Sequence, residues 1–213
     1  MRFQESDEKK VCCRNGVVVK SRQISHRDVV QKKLDRAMSD INRQFKKYVA
    51  VKFDFTIGDE FQGLLYSPEK SYAIVREFQK ILYPLKILFG IGDGFIKTSI
   101  ARRTARMDGD CFVKSRDALE NAKKLNQSVV YNARSGKLNS AVNTIVMLMD
   151  VIKSRWGKIH FRRIFAYEEL GTFGKVARKE KVSRQMISKM FSDIKYGEIK
   201  KAEENLGKLL STL

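Results

Sequence analysis

The sequence predicts an α+β chain: an antiparallel sheet with helices on one face, followed by an all-helical module. Three observations predict it. Apolar and polar residues alternate from Val49 to Ile57 (VAVKFDFTI), the period of a half-buried strand. On both sides of that run, apolar residues recur three and four apart, the period of a helix with one buried face. Beyond about Asn139 the alternation vanishes and only helical spacing remains.

Taken in order, Gly16-Val17-Val18-Val19 reads as the end of a first strand. Ser25 is placed to cap a helix from about His26 to Tyr48, with Val29, Val30, Leu34, Met38, Ile41 and Phe45 on its apolar side. Val49–Ile57 is the second strand. Gly58-Asp59 reads as a hairpin turn, because these residues tolerate positive φ, and Phe61 to Tyr66 as the return strand. Pro68 suits the first turn of a helix whose stripe is Ala73, Ile74, Phe78, Ile81 and Leu82. Pro84 ends it, Leu85–Ile91 is a strand, and Gly90, Gly92 and Gly94 read as its end and a turn. Ser115–Leu125 is again helical. The order β-α-β-β-α-β then α is the ferredoxin-like or palm arrangement. Asn132, Ser135, Gly136 and Asn139 read as a connector. The expected domains are therefore 1–135, with a degenerate first strand, and 140–213.

Composition narrows the function. The chain has 213 residues, with 43 Lys+Arg against 24 Asp+Glu and a formal charge of +19. Such a balance favours polyanionic partners, nucleic acid before an acidic membrane surface. The excess is spread along the sequence and singles out neither half. No run reaches the ~18 apolar residues of a membrane helix, and Met1 to Lys10 is no signal peptide. Three cysteines, Cys12, Cys13 and Cys111, form neither a disulfide framework nor a zinc pattern. A cytoplasmic protein with reduced thiols is expected, with Cys111 in the core. His26 and His160 have no acid or cysteine at catalytic spacing.

The most specific local signal is Thr172 to Phe191, a helix-turn-helix pattern within about 172–194. Val176 and Ala177 sit where two helices cross, Val182 plugs the turn, and Ser183 caps the second helix. Ile187 and Met190 face back onto the first helix. Ser183, Arg184, Gln185, Ser188 and Lys189 are then left outward, donors and acceptors suited to base edges and phosphates of duplex DNA. An ordinary helical hairpin with a basic solvated face gives the same spacing. Lys181 occupies the turn position usually held by glycine.

The second signal is Gly58-Asp59-Glu60-Phe61. Adjacent acids at a hairpin tip repel one another, and a hard cation such as Mg²⁺ relieves this. In palm-type nucleotide cyclases and diguanylate cyclases such an acid works with an aspartate ending the first strand, and together they hold metal on a nucleoside triphosphate. Asp59 and Glu60 are thus candidate metal ligands. Asp108 and Arg116 are weaker candidates for contacting a nucleotide, beside the plainer reading of a solvated loop and helix surface.

The chain resembles the SatD family. The resemblance runs from about Gly16 onward and rests on Val19-Lys-Ser-Arg22, Gly58-Asp-Glu-Phe-Gln-Gly-Leu-Leu65, Leu82-Tyr-Pro-Leu-Lys86, Phe89-Gly-Ile-Gly92, Asp108-Gly109, Arg116-Asp-Ala-Leu119 and the C-terminal helices. It implies a strand ending in Gly-Asp before the Val19 stretch, with that Asp where cyclases put their first metal ligand. Here Cys12-Cys13-Arg14-Asn15-Gly16-Val17 stands instead, and valine cannot ligate a metal. The resulting expectation is a DNA-binding regulator with a non-catalytic nucleotide- or metal-sensing domain. A metal-dependent nucleotidyl-transfer enzyme is the alternative. Double-stranded DNA is the expected partner; a nucleotide with Mg²⁺ and a second copy of the chain are further candidates.

Overall fold

Backbone pairing overrides side-chain polarity in the first strand. In the computed structural model, which describes residues 9–18, 27–56, 60–101, 104 and 107–213, β1 (Lys9–Val18) runs unbroken through Arg14 and Asn15. It pairs along its whole length with β4 (Ile87–Ile96) and from Cys12 to Val17 with β3 (Glu60–Leu65), both antiparallel. The expected degenerate strand is therefore a central one, because two neighbours satisfy its amides and carbonyls whatever the side chains are. Helix α1 (Arg27–Gln44) and β2 (Val49–Phe55) fall close to their expected places. The expected Ser25 cap, His26 and the Gly58-Asp59 turn lie outside the described residues.

The sheet order is β2-β3-β1-β4-β5, and its first four strands have the ferredoxin-like order. The fifth, β5 (Val129–Asn132), pairs parallel to β4. The sheet is thus mixed, not purely antiparallel, and the connector expected near Asn132 begins as a strand. Adjacent parallel strands need a crossover, and α3 (Asp110–Leu125) supplies it.

Helices cover both faces of the sheet, not one. On the first face α2 (Ser71–Leu82) buries Ile74, Val75, Phe78 and Leu82. The Phe78 ring lies 5.0–5.6 Å from the rings of Phe53, Phe61 and Phe89. Ala73, expected in that stripe, is exposed. The second face carries α3, and here the glycines explain themselves. Gly90, Gly92 and Gly94 lie inside β4, not in a turn, and alternate with the aromatic-facing residues. A Cβ on Gly90 would stand 2.2 Å from the Leu119 nitrogen, and one on Gly92 2.4 Å from the Cys111 oxygen. The stripe lets the helix backbone lie directly on the strand. Ser115 Oγ, fully buried, donates to the Gly90 carbonyl at 2.8 Å. Cys111 lies buried between these layers with Cys13 and Ile96, as expected.

The remaining helices are α4 (Gly136–Lys153), α5 (Lys158–Leu170), α6 (Phe173–Glu180), α7 (Arg184–Asp193) and α8 (Tyr196–Leu210). The chain divides into Met1–Thr144 with Leu206–Leu213, and Ile145–Asn205. The helical unit is thus inserted in the sheet unit, which the expected cut at 135–140 does not foresee. Its core joins Ile164, Val176, Ile187, Met190 and Phe191. Tyr167 holds the rings of Phe173, Phe191 and Tyr196 within 4.9–5.9 Å. No described helix is long and apolar enough to cross a membrane.

The stripe has a sharp expectation. Gly90→Ala places a methyl against helix backbone that cannot rotate away, so it should cost about 3 kcal/mol, the upper part of the overpacking range. Gly174→Ala, where a Cβ meets nothing within 4 Å, should be neutral or stabilise by up to about 1 kcal/mol. Denaturant unfolding followed by circular dichroism compares the two. Equal stabilities would mean that α3 does not rest on β4.

Candidate functional site

The sheet-side candidates separate. Glu60 opens β3, and the register places Val17 of β1 directly across from it. The backbone register therefore sets position 17 beside Glu60. Glu60, however, already has a cation: Lys123 Nζ of α3 stands 3.2 Å from its carboxylate and 2.8 Å from that of Glu120. Burial alone would lower the Lys123 pKa, but hydrogen bonds to the two acids outweigh it and the pKa is raised. Asp59 lies outside the described residues. What the described residues offer a divalent cation here is two carboxylates, Glu60 and Glu120, that share one lysine. Among them no group of three His, Cys, Asp or Glu side chains is placed to hold a metal.

Asp108 and Arg116 are both exposed, one ahead of α3 and one on its outer surface. Asp108 accepts the Gly109 amide at 2.8 Å. Between them, Asp110 is committed to the fold. Its Oδ1 accepts the Phe95 amide of β4 at 2.6 Å and its Oδ2 meets Lys114 Nζ at 2.7 Å. Partial burial would raise its pKa, yet the hydrogen bonds from Lys114 and Phe95 prevail and hold it low. His160 is likewise structural: its Nδ1 accepts the Gly157 amide at the start of α5.

One pair escapes sequence reasoning. Asp93, 2% exposed in β4, accepts Arg134 Nε at 3.0 Å. The Arg134 guanidinium also sits 4.6 Å over the Phe95 ring and donates to the Leu213 backbone oxygen at 3.3 Å. The other Asp93 oxygen has no hydrogen-bond partner among the described residues. The available signal was alternation: once Gly92 and Gly94 belong to a strand, Asp93 must point to the opposite, aromatic face and needs a cation.

The helical unit presents the other candidate. Thr172 caps α6 by accepting the Lys175 amide at 3.3 Å, and Ser183 caps α7 by accepting the Met186 amide at 3.1 Å. Lys181 between them is left-handed at φ 53°, ψ 44°, a conformation that costs roughly 1–2 kcal/mol without glycine. Val176, Ala177, Ile187 and Met190 are buried. Arg184, Gln185, Ser188 and Lys189 are exposed together and line one shallow concavity with Ser192 and Asp193. Behind this face, Glu180 closes α6 onto α5. Its Oε2 accepts from Arg162 and lies 3.5 Å from Nε of the buried Arg163. Burial would raise the Glu180 pKa, but the two guanidinium groups outweigh it and the carboxyl is held low.

The sequence pattern of the SatD family matches residues 13–200. No curated protein matches the chain. Among solved structures, one described as "Structure of a bacterial light-regulated adenylyl cyclase" aligns at a TM-score of 0.44 and 10% identity, over 59% of this chain and 76% of that one. A second, also of a bacterial light-regulated adenylyl cyclase, aligns at 0.43 and 12% identity, over 60% of this chain and 44% of that one.

The Glu180 clamp is testable without a ligand. A lowered carboxyl pKa contributes stability above the ordinary carboxylate range, and that stability is lost as pH falls through the lowered value. Glu180→Gln leaves Arg163 buried beside a neutral amide and should cost about 3 kcal/mol at pH 7. The deficit should shrink on acidification. Trp156, the single tryptophan, lies in this unit and donates to the Ile194 carbonyl at 3.0 Å, so its fluorescence reports the unfolding. A pH-independent deficit would remove the charge argument.

Proposed function

The chain belongs to the SatD family, and we propose that it is a DNA-binding regulatory protein that reads duplex DNA with the outer face of α7, as the second helix of a helix-turn-helix. The observation that carries this reading is the shared exposure of Arg184, Gln185, Ser188 and Lys189 on a helix capped by Ser183. Arginine and glutamine each present paired groups that match guanine and adenine edges in the major groove. Lys189 and the +19 charge favour the phosphate backbone. The sheet unit, in this proposal, is a palm-like sensing domain that no longer turns over substrate. A second copy of the chain is a further partner of the proposal, since paired half-sites are the common way a single recognition helix gains affinity.

The enzyme reading keeps one supporting observation, the register of position 17 opposite Glu60. On that reading Val17→Asp should create Mg²⁺-dependent nucleotide binding visible by calorimetry, and a further Asp59→Asn should abolish it. Turnover by the unsubstituted chain would place the enzyme reading first.

The DNA reading is tested by gel-shift and anisotropy titrations against DNA upstream of the protein's own operon. Arg184→Ala and Gln185→Ala should each lose roughly 1–3 kcal/mol of discrimination at one base position. Lys189→Ala should weaken all sequences alike and reduce the salt slope by about one. Unchanged affinity and preference in all three variants would mean that α7 is not the reader.

A further inference from the structure

Both edges of the sheet are closed by the same device. On β2, Asn42 of α1 accepts the Phe53 amide at 2.8 Å and donates to the Phe53 carbonyl at 3.0 Å. On β5, Asn143 of α4 accepts the Tyr131 amide at 2.8 Å and donates to the Tyr131 carbonyl at 2.9 Å. A side-chain carboxamide carries the same donor and acceptor as a peptide unit, so each asparagine forms the bridge that one residue of a further strand would form. Neighbouring features work the same way. Asn139 Oδ1 accepts the Ala133 amide at 2.9 Å just beyond β5. The β2 register shifts twice, between Val49 and Val51 and between Val51 and Asp54, and its exposed positions are Lys52 and Asp54. Bulges, charges and short length are how edge strands resist pairing with another chain; β5 has only four residues.

We infer that Asn42 and Asn143 are edge guards, and that the chemistry they exclude is strand addition by a second copy of this chain. An edge strand's free amides and carbonyls pair with any exposed strand, and the nearest one at high concentration is the identical edge of another copy. The inference does not rest on DNA binding, and its outcome leaves that reading as it stands.

The experiment uses the full chain with Asn42→Ala, Asn143→Ala and both together. Val51→Ala, a buried β2 truncation whose side chain packs with Cys13, Leu64 and Cys111, serves as a destabilised control. Sedimentation velocity over a concentration series reads association, and hydrogen exchange reads the Phe53 and Tyr131 amides. The expected result is at least tenfold faster exchange at the amide whose guard is missing. Concentration-dependent species larger than those of the parent should accompany it, most in the double variant and none in Val51→Ala. Asn42→Asp, which keeps the acceptor and loses the donor, should fall between parent and alanine. Fast exchange with the parent's sedimentation would overturn the inference, as would association of Val51→Ala to the same degree.

Discussion

The structure of the sheet unit depends on α3 lying with its backbone against β4. The contact exists only because Gly90, Gly92 and Gly94 carry no side chain on that face. It has a topological consequence. Strands β3, β4 and β5 run parallel and are ordered in one direction across the sheet. Helix α2 connects β3 to β4 over the aromatic face, and α3 connects β4 to β5 over the glycine face. Crossovers of the same sense on opposite faces have opposite hands, so one of them departs from the right-handed rule that nearly all such connections obey. A departure of that kind needs a compensating contact, and the buried Ser115–Gly90 hydrogen bond with the close helix approach supplies one.

Much else follows from where α3 sits. Its first turn meets the end of β4 through Asp110 and the Phe95 amide. Its last turn brings Lys123 to Glu60, so the hairpin acid is neutralised by the helix that the stripe positions. On the opposite face the same strand buries Asp93, where a lone carboxylate would be costly. Arg134, held over Phe95, removes most of that cost. The strand and the helix resting on it thus settle three polar contacts.

What could be read in advance follows the strength of local signals. The α1, β2, β3 and α2 segments have long, clean periods, and the Ser183 cap and the buried Val176, Ala177, Ile187 and Met190 lie where spacing puts them. The glycine stripe defeated propensity. Three glycines in five residues look like a turn, and only their spacing of two betrayed a strand face given over to a helix. Strand β5 has four residues, too few for a period, although Val129, Val130 and Tyr131 have the right character. The Asp93–Arg134 pair joins residues 41 apart with no motif between them, and the return of Leu206, Leu210 and Leu213 to the sheet unit is a tertiary fact that local spacing cannot carry.

Charge and specificity separate in the helical unit. Several of its cations are already paired: Arg162 and Arg163 with Glu180, Lys179 with Glu169, Lys153 with Glu203. These fix helices to one another and contribute little to a long-range field. Arg184 and Lys189 have no acid partner among the described residues, and they share their face with two serines, Gln185 and Asp193. Under the proposed function, such a mixed face divides the work: phosphate contacts position the helix, and base contacts from Arg184 and Gln185 discriminate. The left-handed Lys181 fits the same logic. A lysine there costs backbone energy that glycine would spare, and its exposed ammonium adds a cation at the turn, so the position trades stability for charge next to the proposed reading helix.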